Sequence, residues 1–261
     1  MNITIQKIEE IKLKGYNLDF SDIFNQTIEN YKKIALNAGL AFLLLSVIMG
    51  VVFGSAFGFI YGTASLTETL TNFNIQNFST LALIIYIIAV ALISAFTAPF
   101  YAGILQMANL ADQNQEFSIQ TAFVHFKSKY FKDLVISSIV VALVTVGISV
   151  IFETISSQFV GGFITYAITF MVFMTKPLII FGNLNATDSI KASLILMGKQ
   201  IPVLAGLLIV SVLMIFLGLI GLCIGIFFTF PFIFSLQFII YKNILGVNSV
   251  SEIEEIGNFI E

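Results

Sequence analysis

Apolar positions in this chain run in long blocks, with little of the alternation expected of strands. From Ile34 onward the blocks last about 20 residues or more, which at 1.5 Å per residue crosses about 30 Å of hydrocarbon. The pattern predicts spans at roughly 34–61, 80–108, 134–156, 159–182, 202–220 and 225–242. The last two need separating, because Ile201 to Tyr241 is almost continuously apolar and one helix of that length would be about 60 Å long. It must turn, and Gly218, Gly221 and Gly225 near its midpoint either supply the permissive backbone for a hairpin or form a packing face.

A shorter, polar segment with helical spacing of apolar residues precedes each pair of spans. The first holds Phe20, Ile23, Phe24, Ile28 and Tyr31; the second Ile119, Phe123, Phe126 and Tyr130; the third Ile190, Leu194, Met197 and Ile201. Asp22, Glu29, Lys32, His125, Lys127, Lys129, Lys191 and Lys199 occupy other positions. Such helices either lie along the membrane surface, lysines toward anionic head groups, or simply fill space in the loops. Ser21, Ser118 and Thr187 are candidate N-caps. The expected fold is therefore all-α: a polytopic membrane helical bundle of six spans, built as three tandem units of amphipathic surface helix plus transmembrane hairpin. Residues 1–248 form one integral membrane domain. The remainder, 249–261, reads as a short cytoplasmic helical tail marked by Ile253, Ile256 and Ile260.

Thr-x-Pro recurs three times, as Thr97-Ala98-Pro99, Thr175-Lys176-Pro177 and Thr229-Phe230-Pro231, each in the second helix of a pair. A proline removes a backbone donor and kinks a span, and a nearby threonine hydroxyl can occupy the freed carbonyl. An amide follows each proline at Gln106, Asn183 and Gln237. Together the nine positions describe three bends and a polar ring. The first span adds Gly50, Gly54, Gly58 and Gly62, a stripe of small residues for helix packing, within the chain or between two copies.

Composition agrees with a membrane protein: 58% of residues are hydrophobic and 10% charged, against about 25% charged in soluble chains. Mean hydropathy is +0.99. All 12 basic residues are lysines. They lie before the first span (7, 12, 14, 32, 33), between the second and third (127, 129, 132), around the fourth-to-fifth connection (176, 191, 199) and after the sixth (242). The stretch from Gly62 to Ser79 carries only Glu68, and the connection near Ser156 to Gln158 carries no lysine. The positive-inside rule then places both termini and the two lysine-bearing loops in the cytoplasm. The polar opening, Met1 to Lys33, does not read as a signal peptide.

Chemistry is sparse. Cys223 and His125 stand alone in their residue types, which excludes a disulfide framework and a Cys- or His-rich metal centre. No HExxH, GxSxG, Walker glycine loop or paired intramembrane carboxylate occurs, so no catalytic, cofactor or metal residue is assigned. His125 reads as an interfacial aromatic. Glu153, near the outer end of the third span, is either a proton-coupled carboxylate or a side chain reaching water. Lys176 reads as snorkelling to the cytoplasmic interface. Expected partners are the lipid bilayer, anionic lipids, and a second copy or another membrane protein; nucleic acid is not expected.

The segment Ala186-Thr-Asp-Ser-Ile-Lys-Ala-Ser-Leu-Ile-Leu-Met-Gly-Lys199, leading into an apolar span, and the closing Gly221-Leu-Cys-Ile-Gly-Ile-Phe-Phe-Thr-Phe-Pro231 through Tyr241-Lys242-Asn243 resemble uncharacterised six-span bacterial inner-membrane proteins. The chain looks like the YciC-like group and the membrane domain attached to some glycerophosphodiester phosphodiesterases. Only 19 residues follow Lys242, so the resemblance implies the membrane fold without the hydrolase. Its Phe, Ile, Asn and Lys-rich composition resembles proteins of AT-rich Bacteroidetes, where similar chains bear a carotene-oxygenase label. Similar oxygenases hold iron with four histidines, and only His125 is present. The expected role is an accessory or scaffold function in membrane organisation or lipid handling, without catalysis; the alternative is a small-molecule or lipid transporter.

Overall fold

The computed structural model describes residues 3–61, 78–155, 158–220 and 224–247. Among them every regular element is helical: α1 Ile3–Lys14, α2 Phe20–Tyr61, α3 Thr80–Asp112, a 3-10 helix Ile119–Phe126, α4 Phe131–Thr154, α5 Gln158–Met171, α6 Thr175–Ile180, α7 Ala186–Lys199, α8 Ile201–Ile220, α9 Ile224–Thr229 and α10 Pro231–Leu245. Six stretches are long and apolar enough to cross a membrane: Phe20–Ser55, Thr80–Asp112, Phe131–Thr154, Phe159–Ile180, Ile201–Leu219 and Gly225–Leu245. The protein is an all-α polytopic helical bundle. The tail 249–261 and Gly62 lie outside the described residues.

The sixth span is the central one, with 56% of its apolar window buried against 22% to 33% in the other five. Phe232, Phe238, Ile240 and Tyr241 of α10 are fully enclosed by α2, α3, α6 and α8. Leu81, Ile85 and Ile88 of α3 and Val47, Val51 and Phe53 of α2 are exposed, as lipid-facing side chains should be, since hydrocarbon leaves little reason to hide them. From Ala98 to Ala111, α3 is mostly buried. The dense core therefore sits toward the lysine-bearing ends of the spans.

The surface segments differ from expectation. The first is no separate helix: Phe20–Tyr61 is one 42-residue helix, about 63 Å long. Nothing between Tyr31 and Ile34 can break it, and its extension buries Ile23, Thr27, Asn30 and Ile34 at a period of three to four residues. Its cap is Asp19, whose carboxylate accepts the Asp22 N–H at 2.8 Å, instead of Ser21. The second segment is a 3-10 helix that stops at Phe126, short of Tyr130. Ser118 precedes it, its N–H donating to the Thr121 hydroxyl at 3.2 Å. The third segment is an α-helix capped by Asn185, which accepts the Asp188 N–H at 2.9 Å, instead of Thr187. Its buried face is Ser189, Ala192, Ser193, Leu196 and Met197. Of the expected apolar face, Leu194 and Ile201 are exposed, because small residues allow α7 to sit close against its neighbours.

Helix α1 had no counterpart in the sequence reading. Thr4, Ile8 and Ile11 form its buried stripe, and Lys7 Nζ donates to the Leu245 carbonyl at the end of α10 at 2.6 Å. The following loop is tied to the third unit. Tyr16 donates to the Leu196 carbonyl at 2.8 Å, the Leu18 N–H to the Gln200 side chain at 2.9 Å, and Gln200 in turn to Asn17 at 2.8 Å. Burial pushes the Tyr16 phenol above its usual pKa.

The hairpin between α8 and α9 uses its glycines for close approach. A Cβ on Gly218 would lie 2.9 Å from the Gly225 carbonyl oxygen and collide with Thr229 Oγ1, while one on Gly225 would collide with the Gly218 carbonyl. Both glycines lie within helices, so at these two positions the packing-face reading holds; Gly221 lies outside the described residues. The other stripe behaves differently. Gly50 and Gly54 are exposed and an added Cβ would meet nothing within 4 Å, so no helix packs on them among the described residues. Gly58 continues the same helix.

Candidate functional site

The three Thr-x-Pro sites are handled in three ways. The chain stays helical through Pro99. It is interrupted at residues 172–174, just before Thr175-Lys176-Pro177, and at Phe230, which separates α9 from Pro231 as first residue of α10. Each threonine bonds backward along its own chain: Thr97 to the Ile93 and Ser94 carbonyls at 3.0 and 3.3 Å, Thr175 to Val172 at 2.7 Å, and Thr229 to Gly225 and Ile226 at 3.2 and 3.3 Å. The carbonyls that the prolines leave free are those four residues earlier, at Ala95, Phe173 and Phe227. The threonines therefore miss them. Their back-bonding is the local kind that bends a helix slightly without replacing the lost bond.

The break in the fourth span is closed from two other helices. Ser193 of α7, fully buried, donates to the Met171 carbonyl at 2.8 Å and accepts the Met174 N–H at 3.0 Å. The Val172 carbonyl accepts from Thr175, through both hydroxyl and N–H. Gln237 of α10, also buried, donates from Nε2 to the Phe173 carbonyl, the one freed by Pro177. Every carbonyl from Met171 to Phe173 is thereby occupied. An unwound stretch inside an apolar bundle is tolerable only on that condition, since each unmet backbone group costs about 2 kcal/mol or more.

Around this break the first and third hairpins meet through aromatic side chains, and the fourth span adds Lys176. Tyr101, two residues past Pro99, packs on Phe234 of α10 at 5.3 Å between ring centroids, and Lys176 Nζ lies 5.8 Å from the Tyr101 ring centre. Phe42 of α2 contacts Phe100 at 5.1 Å, Phe230 at 5.0 Å and Phe234 at 5.6 Å. Such pairs contribute roughly 0.5 to 1.5 kcal/mol each beyond burial. Lys176 is held half-buried against the Tyr101 face and forms no ion pair among the described residues.

The amides do not form a mutually bonded ring. Gln237 goes to Phe173, as above. Asn183 is exposed, adopts φ 51°, a left-handed conformation that asparagine accepts more readily than most residues, and takes the Tyr130 hydroxyl on Oδ1 at 2.6 Å. Gln106 is half-buried on α3. Spacing after proline placed all three at similar positions along the chain, but α6 ends at Ile180, so Asn183 falls beyond its helix while Gln237 stays inside one. The partner that matters most, Ser193, carried no signal in the motif; its trace was the run of small residues on α7.

His125 is 6% exposed. Ser128 Oγ donates to the His125 carbonyl at 3.3 Å and so accepts from the ring at Nδ1, 3.1 Å away; Nε2 is left bare and buried without a partner. Burial pushes the imidazole down to about 4. Its ring lies 5.8 Å from Tyr130, a packed core position and no free interfacial aromatic. Glu153 accepts from Ser149 at 3.5 Å. Among the described residues no group of three His, Cys, Asp or Glu comes together. The assembled site offers hydrogen-bond closure of a broken helix and one half-buried cation, and brings no acid–base pair together. No family model, curated protein or solved structure matches this chain.

Proposed function

We propose that this integral membrane protein has no catalytic activity of its own and serves as an accessory or scaffold in membrane organisation or lipid handling. The observation that carries this reading is the internal use of the polar groups at the bends: Gln237, Ser193 and Thr175 all close the backbone of the fourth span. A permeation path would instead turn such groups toward a water-filled space. The bilayer, with its anionic lipids, is the partner in this proposal, alongside a second copy or another membrane protein. The setting is a bacterial inner membrane with both termini in the cytoplasm, for which the lysine distribution is the support. The YciC-like resemblance, carried by the 186–199 and 221–243 segments, is part of the same proposal.

One observation favours transport as a second reading. The fourth span is discontinuous within the bundle, and broken helices surround substrate sites in many transporters. Cysteine accessibility separates the two. In a Cys223→Ser background, cysteines at Thr175, Ser193 and Gln237 should resist membrane-impermeant thiol reagents from both sides of proteoliposomes. Rapid labelling from one side, blocked by a solute, would favour the transporter and sink the scaffold.

A further inference from the structure

A lateral slot lies between α5 and α7, with a volume of about 260 Å³, lined by Phe163, Ile164, Ala167, Ile168, Met171 and Leu194. Every lining side chain is apolar, and the slot opens sideways: Phe163 is 75% exposed and Leu194 45%. In water such a surface would be a liability, whereas beside a bilayer it is a place for an acyl chain. Its α7 end carries charge. Thr187, Lys191, Leu194 and Gly198 form the exposed stripe of α7, so Lys191 stands one turn from the leucine that lines the slot.

A second cation comes to the same corner. Asp133, at the start of α4, accepts the Ala186 N–H at 3.0 Å, which brings its neighbour Lys132 to the first turn of α7. The acidic groups there are already engaged, Asp133 by that N–H and Asp188 by Asn185 Nδ2 at 2.8 Å. Neither Lys132 nor Lys191 is in an ion pair among the described residues, in contrast to Lys12, Lys14 and Lys242.

We infer that this slot binds one anionic phospholipid, its acyl chain along α5 and its phosphate at Lys191 and Lys132. The inference rests on the lipid-handling reading and gives it a site. An apolar groove that ends beneath two lysines held in no ion pair among the described residues matches the two halves of such a molecule, chain burial and headgroup charge. A soluble phosphate would use only the second half.

The test is native mass spectrometry of the full chain released from micelles carrying phosphatidylglycerol or phosphatidylcholine. The protein should retain phosphatidylglycerol in preference. Lys191→Gln should lower that retention about fivefold, the equivalent of ~1 kcal/mol for a lysine at an anionic surface, and leave phosphatidylcholine unchanged. Lys191→Arg should retain it. Ala167→Phe, or the milder Ala167→Leu, should reduce both lipids by filling the slot, and Lys12→Gln should change neither. Unchanged phosphatidylglycerol retention in both the Lys191→Gln and Ala167→Leu proteins would overturn the site and leave the lipid reading standing. Displacement of the lipid by an equal concentration of glycerol phosphate would also overturn it, because the acyl chain would then be irrelevant. Failure of the unaltered protein to retain any phospholipid would overturn the site and the lipid-handling function together.

Discussion

The Gln237 side chain donates to the backbone carbonyl of Phe173, the group that Pro177 leaves without a helical partner. A residue in the sixth span thus completes the hydrogen bonding of the fourth. Replacing Gln237 by Leu should destabilise the protein by about 1 to 2 kcal/mol, because a buried carbonyl loses its donor. In a Pro177→Ala background the restored backbone N–H can serve Phe173, so the same substitution should cost less. A double-mutant cycle measured by reversible unfolding in mixed micelles checks this, and strictly additive effects would show that Gln237 acts elsewhere.

Glycines on the two long helices should respond in opposite ways. A Cβ on Gly103 would run into the backbone of Ala122 in the 3-10 helix, reaching its Cα at 2.7 Å, and backbone cannot move aside as a flexible side-chain end can. Gly103→Ala should lower the thermal midpoint. Gly54→Ala meets open space and should leave it unchanged or raise it, since alanine favours helix by about 1 kcal/mol over glycine.

The His125 imidazole, held neutral by burial, makes stability depend on pH. Unfolding exposes it to water, where its pKa returns to about 6.5, whereas in the folded protein it is pushed down to about 4. Between these values the unfolded chain binds the extra proton. Stability should therefore be full above pH 6.5 and decline as pH falls toward 4, by on the order of 3 kcal/mol in all. His125→Phe should flatten the thermal midpoint across that window. An unchanged slope would mean that carboxylates carry the whole acid response.

Orientation can be read with single cysteines in the Cys223→Ser background. Ser79→Cys, before α3, should react with an impermeant reagent added outside intact cells, and Lys191→Cys only after permeabilisation. Labelling of both from one side would contradict the alternate placement of the lysines.

Helix content and span number were legible because long apolar blocks have few physical solutions in a chain this hydrophobic. The hairpin at Gly218 and Gly225 was legible for the same reason, as a length that had to be folded in two. Helix α1 was missed because its stripe is only Thr4, Ile8 and Ile11, and what makes it a helix worth forming is tertiary, the docking of Lys7 on the Leu245 carbonyl. The continuity of α2 was missed because Lys32 and Lys33 mark a membrane boundary but do not end a helix. At the bends, the sequence located the prolines, while the donors that serve them lie far along the chain. Ser193 and Gln237 are 22 and 64 residues from the carbonyls they reach, a relation that local spacing does not express.

Helix α2 and the last span lie against each other, and that fixes the order in which the molecule can be completed. Tyr31 donates to the Phe228 carbonyl across 197 residues, Asn243 to Gln26 across 217, and Lys7 to Leu245 across 238. As the chain emerges, its earliest helices can enter the bilayer, and Asn30 can already donate to the Ala108 carbonyl of α3 at 2.8 Å, but much of the surface that packs on α2 is supplied by the last span. Until that span arrives the N-terminal extension of α2 is an unfinished interface, with part of its apolar stripe uncovered. Assembly therefore waits on the final 20 or so residues of α9 and α10, and a chain stalled before them should be the species most readily taken up by chaperones or membrane proteases.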